Sequence, residues 1–200
     1  MARAGLLAVQ LGMLGAMAWA AWAGPLQGPV FSVAARAEAP GKTDWHVGGV
    51  HTPYLVKTYE MAQARAWLDL GQDSEDPEVR AEAAARARDH AQRAIAAVPT
   101  NGYAWGALGW AETLAGDREA ALAAVERARD WTPAAPNLAL DRALIAQAWW
   151  PELDAETRTE VLDDVWLASQ GYGRRFREAL AASPRLGVLL EIARAGREEG

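Results

Sequence analysis

Five carboxylates, Asp154, Glu156, Glu160, Asp163 and Asp164, crowd one short stretch of this chain, and a pair of carboxyl groups is what acid–base cleavage of a glycosidic bond requires. The same stretch reads as a helix, however, and carboxylates strung along a helix usually form a solvated face. Asp163 and Asp164 are adjacent and so point in different directions. His90 stands alone among Arg86, Arg88 and Arg93, and no serine or cysteine occupies a nucleophile elbow. His46 and His51 lie beside Asp44 in a proline-rich stretch, without the spacing of a metal site. The chain has no cysteine, which removes disulfides, thiolate nucleophiles, thiolate zinc sites and haem attachment together. Phosphate loops and dinucleotide fingerprints are also missing. These residues predict a chain that binds rather than catalyses, with no metal and no cofactor.

Helices must position whatever binding side chains exist. The 200 residues are rich in alanine and poor in β-branched types, which predicts an all-α fold. The net charge of -6 is mild, and basic residues are interspersed with acids, so nucleic acid is not an expected partner.

One stretch carries a specific pattern. Trp105, Leu108, Gly109, Gly116, Ala121, Leu122, Ala128 and Pro133 stand in the order and spacing of a tetratricopeptide repeat, W-x2-L-G-x2-Y, then A-x3-F, then P. Glu112 replaces the aromatic residue of the first helix, and Val125 replaces the phenylalanine of the second. A shift of about 34 residues, the period of such repeats, carries Pro133 and Ala128 onto Pro99 and Ala94. The segment therefore resembles the tetratricopeptide family, whose fold is a solenoid of helical hairpins. Small residues at 109, 121 and 128 let helix backbones approach closely, Gly116 supplies the turn, and Asp117 caps the second helix.

Around this repeat the periodicity predicts a helix over 54–70 that stops at Gly71, with Tyr59, Ala66, Trp67 and Leu70 on its buried side. Ser74-Glu75-Asp76-Pro77 announces a long helix over 77–98. With Leu70-Gly71 as the turn, the first unit carries an insertion between its two helices. The matched unit spans 102–133. A third begins near Pro136 with a helix over 137–149, and it departs from the pattern at Arg142 and Ala143. Helices over 155–170, 173–182 and 184–195 cap about two to three repeats, and residues 196–200 form a frayed tail. The helical domain thus covers 54–195.

The amino-terminal stretch 4–23 contains no charged residue and follows Arg3. About 20 apolar residues cross a bilayer, whereas the apolar part of a cleaved signal is usually about 7 to 15 residues long. Residues 1–24 are expected to form a single transmembrane signal-anchor in a bacterial inner membrane, with the carboxy-terminal domain periplasmic. Ala18-Trp19-Ala20 and Ala35-Arg36-Ala37 offer the alternative of cleavage. Ala4, Ala8, Gly12, Ala16 and Ala20 recur every fourth position, a face suited to a transmembrane-helix partner or produced by an alanine-rich composition alone. Pro25, Pro29, Pro40 and Pro53 mark 25–53 as a linker.

The resemblance implies a groove lined by first-helix residues that receives protein partners. Carried onto this sequence, those positions are Tyr103, Gly106, Trp110 and Thr113, with Arg65, Asn137, Leu140 and Gln147 from neighbouring units. Trp110 has a second reading, burial against the next helix. A separate patch, Tyr172, Arg174, Arg175, Phe176 and Arg177, reads as a surface for anionic lipid or polymer, or as an ordinary solvated face. The segment 140–168 also resembles helices that follow repeats in bacterial surface-polysaccharide polymerase and ligase proteins and in anchored proteins of exopolysaccharide clusters. That implies an accessory scaffold in polysaccharide assembly or export. The alternatives are an assembly factor for a redox complex, as in cytochrome c maturation, and a module that binds glycan or lipid directly.

Overall fold

A computed structural model describes residues 53–171 and 173–198, and every regular element among them is helical. Eight α-helices follow one another: α1 (Pro53–Asp73), α2 (Pro77–Ala97), α3 (Gly102–Ala115), α4 (Arg118–Trp131), α5 (Pro136–Gln147), α6 (Ala155–Gly171), α7 (Arg174–Ala182) and α8 (Pro184–Glu198). A short 3-10 turn, Trp150–Glu152, lies between α5 and α6. The predicted anchor, its small-residue face and the linker lie outside the described residues. Among those described, no helix is long and apolar enough to cross a membrane.

Local chemistry sets the breaks between helices. The Asp76 carboxylate accepts from the Glu78 N–H at 2.8 Å and Pro77 takes the first position, so α2 starts there. Gly116 adopts a left-handed φ of 79° at the end of α3, and Asp117 caps α4 by accepting from the Ala120 N–H at 3.1 Å. The result is three hairpins, α1–α2, α3–α4 and α5–α6, packed in file, with α1 against α3 and α3 against α5.

Alanine and glycine make the close packing possible. Ala83, Ala84, Ala87, Ala91 and Ala94 of α2 are all buried, as are Ala121, Ala124 and Ala128 of α4. Gly71 does not end α1 as expected, because α1 continues to Asp73. Its role is close approach: a Cβ there would stand 2.3 Å from Leu114 Cδ2 and 2.9 Å from Ala83 Cβ. The expected insertion in the first hairpin is therefore held in extra helical turns, and the chain reverses within 74–76. At the other end the 196–200 tail is not frayed as far as it is described, since α8 runs to Glu198. The Arg197 guanidinium, 2.8 Å from Asp163 and over the Trp166 ring, holds that turn.

The carboxy-terminal half has a larger-chain core. Leu138 and Ile145 of α5 are buried, and Leu140, Val161, Val165, Phe176, Leu186 and Leu189 close one cluster across α5, α6, α7 and α8. Each buried Leu or Val contributes about 1.5–3 kcal/mol relative to exposure.

Candidate functional site

The three first helices of the hairpins, α1, α3 and α5, meet along an open groove of about 280 Å³. Its floor is apolar. Leu68, Ala107 and Leu138 are buried there. Gly106 completes the floor: a Cβ on it would lie 2.8 Å from Leu138 Cδ1, so a larger residue there would push the Leu138 side chain aside.

Trp110 stands between two core clusters, one holding Ala107 and Ala111, the other Ala121, Val125 and Ile145. It is half-buried, and its indole N–H donates to Asp141 Oδ1 at 3.3 Å. Asp141 accepts twice more from Arg175 of α7, at 2.5 and 3.3 Å, and Arg175 also donates to the Asn137 carbonyl at 3.4 Å. On the α1 side, Arg65 lies 3.6 Å from Asp69, with Gln72 a turn further on. Tyr103 is 47% exposed where α3 begins.

Of the residues named from the sequence, Arg65, Tyr103, Gly106 and Trp110 come together on this groove. Thr113 does not line it; its hydroxyl donates to the Gly109 carbonyl at 2.8 Å within α3. Asn137 reaches the site through its carbonyl, as the acceptor for Arg175. Gln147 lies at the far end of α5, accepting from the Ser183 hydroxyl at 3.1 Å and from Arg185 at its carbonyl. Leu140 is corrected outright: only 3% exposed, it packs in the cluster shared with α6, α7 and α8 rather than facing a groove.

The basic patch divides in the same way. Phe176 is buried, Arg174 pairs with Glu178 along α7, and Arg175 turns into the groove. Tyr172 lies outside the described residues. Sequence reading missed Asp141 and Arg175 as groove residues because they stand 34 positions apart with no local pattern joining them.

The acid cluster has no common direction. Asp154 caps α6, accepting from the Thr157 N–H at 2.8 Å, and this bond holds its carboxyl below the usual value. Glu160 pairs with Arg129, and Asp163 with Arg197. Asp164 is no solvated residue. It is buried and receives the fully buried Arg142, with its Nε at 3.0 Å from each carboxylate oxygen, together with Arg129 at 2.8 Å. Arg142 spends its remaining donors on the Thr132 and Pro133 carbonyls at 3.0 and 3.3 Å. Burial alone pulls the Arg129 pKa down, but Asp164 and Glu160 outweigh it and leave the value raised. This network joins α4, α5 and α6 through Arg129, Arg142 and Asp164.

His90 is paired as well. Its Nδ1 lies 2.6 Å from Glu60 Oε2 across α1 and α2, with Arg93 at 3.4 Å from the same oxygen. Glu112, at the position where the repeat pattern has an aromatic residue, is buried and receives the Arg88 Nε at 2.7 Å. That hydrogen bond raises the Arg88 pKa above its ordinary value. Among the described residues no cluster of His, Asp or Glu suits a metal ion.

No protein-family model matches the chain, and no curated protein matches it in sequence.

Proposed function

We propose that this chain is a membrane-anchored scaffold whose tetratricopeptide-like hairpins, held outside the cytoplasm by residues 1–24 and the linker 25–53, receive an extended segment of a protein partner. One observation carries the reading. Tyr103 and Arg65 stand exposed beside an apolar floor formed by three helices, and neither side chain is needed to close the core. An apolar floor with a few polar groups at its walls is the ordinary composition of a recognition groove.

The repeat reading is supported by equivalence at its period: Ala94 and Ala128 are both fully buried, each in the second helix of its hairpin. The process served is the assembly or export of surface polysaccharide, on the resemblance of 140–168. Crosslinking in intact cells, with mass spectrometry of the captured proteins, tests this. Capture of glycosyltransferases or a polymerase, reduced by Tyr103→Ala, is the expected result. Capture of cytochrome-maturation components instead overturns the pathway and keeps the scaffold. A phosphatase reporter fused after Gly200 is active if the orientation holds, and an inactive fusion refutes it.

A further inference from the structure

Arg175 occupies the groove in a manner that specifies what else fits there. Its guanidinium makes two hydrogen bonds to one carboxylate, Asp141, at 2.5 and 3.3 Å, and another to the Asn137 carbonyl at 3.4 Å. The carboxylate is fixed from behind by the Trp110 indole N–H at 3.3 Å, and its side chain is only 13% exposed. A planar fork of donors on a fixed carboxylate and a carbonyl is a complete recognition site for a guanidinium.

The element that delivers Arg175 is a short one. Helix α7, 9 residues long, packs chiefly on α8, places Phe176 in the core with Ala179 and Leu180 packed against it, and begins after Gly173, whose φ of 51° lies in the region that favours glycine. The Arg175 side chain is 45% exposed. The charges along the groove walls also change with its position. With Arg175 in place, Arg65 and Arg175 balance Asp69 and Asp141. With Arg175 withdrawn, two carboxylates, Asp69 and Asp141, remain against the one cation Arg65, and the groove is acidic.

We infer that the Asp141–Asn137 site is a guanidinium subsite for an arginine of a protein partner, and that Arg175 is its internal occupant, displaced when the partner binds. The inference rests on the groove being a protein-binding site, and it deepens that reading by naming the partner's chemistry: an extended peptide with an arginine flanked by apolar residues. Arg175 competes as a tethered ligand at an effective concentration of order millimolar, so the wild-type groove binds such a peptide weakly.

The test uses a fluorescein-labelled peptide with one arginine between leucines and its counterpart carrying neutral citrulline, read by fluorescence anisotropy on the full chain in detergent. Arg175→Gln is expected to bind the arginine peptide about tenfold more tightly than wild type, the scale of one charge-assisted pair, with no gain for citrulline. Adding Asp141→Asn should abolish that gain, with folding checked by circular dichroism. Should Arg175→Gln fail to fold, Arg175→Lys, which keeps the charge and loses the fork, gives a smaller gain of the same sign. An unchanged affinity, or an equal gain for citrulline, overturns the inference. If groove crosslinks in cells still depend on Tyr103 in that case, the scaffold reading stands without it. Absence of those crosslinks removes both.

Discussion

Replacing Asp164 by alanine removes the acceptor on which two cations depend. Arg142 is fully buried, and its Nε and one Nη would lose their only carboxylate, while the Thr132 and Pro133 carbonyls cannot balance its charge. Arg129 is less affected, because Glu160 remains beside it. Breaking a buried pair by removing one partner costs about 3–5 kcal/mol. Against a total of about 5–15 kcal/mol for a domain, that is a large share. For a chain of this size the melting temperature should fall by roughly 6–20 °C. Urea unfolding followed by circular dichroism measures the loss directly, as a lower midpoint at unchanged slope. Asp164→Asn, which keeps an acceptor but not the charge, should fall between the two. Arg142→Leu combined with Asp164→Leu should cost far less than Asp164→Ala, since apolar replacement of a whole buried pair is often neutral. A loss under about 1 kcal/mol for Asp164→Ala would refute the claim that this carboxylate compensates a buried charge.

Gly71→Ala should destabilise by about 1–3 kcal/mol, measured by thermal melting, because its Cβ would stand 2.9 Å from the Ala83 Cβ, which has no rotamer to move to, as well as 2.3 Å from Leu114 Cδ2. Trp110→Ala should lower both stability and partner capture, by about 3–5 kcal/mol in the melt, since the ring fills two clusters as well as a groove wall. Tyr103→Ala, at an exposed ring, should weaken capture with a melt within about 0.5 kcal/mol of wild type; the reverse pattern would show the two aromatics exchanged in role. The lowered pKa of Asp154 sets a pH dependence: the cap contributes fully above the reference value of 3.8 and is lost as pH falls through the lower folded value. Asp154→Asn should therefore flatten acid unfolding below about pH 4, and identical acid limbs for the two proteins would exclude the cap as its cause.

What could be read from the sequence was what local rules govern. Gly116-Asp117 gave the α3–α4 turn, Asp76-Pro77 the start of α2, and the alanine-rich composition an all-helical fold. Gly71 misled because a glycine that ends a helix and one that admits a neighbour look alike until the neighbour, Leu114, is placed. In the best-matched repeat the groove was legible at Tyr103, Gly106 and Trp110 but not at Thr113, whose hydroxyl turns back to the Gly109 carbonyl of its own helix. It failed at Leu140, where the repeat pattern had already lapsed and α5 turns that residue toward α6, α7 and α8. Charged residues were least legible. Asp164 and Glu112 look like surface acids in a helical pattern, and only tertiary contact with Arg142 and Arg88 shows them buried.

The alanine-lined face of α2 has a consequence for mutational mapping. Ala83, Ala84, Ala87, Ala91 and Ala94 already carry the side chain to which a truncation scan reduces every other residue. An alanine scan therefore passes over this buried face of α2 without a signal, and reports it as silent. The informative direction there is enlargement, because each added methylene has no void to enter and must push two backbones apart. Tolerance along this helix should be asymmetric: most of the substitutions open to such a position make it larger, so this face rejects variants that a core of leucines would absorb by repacking.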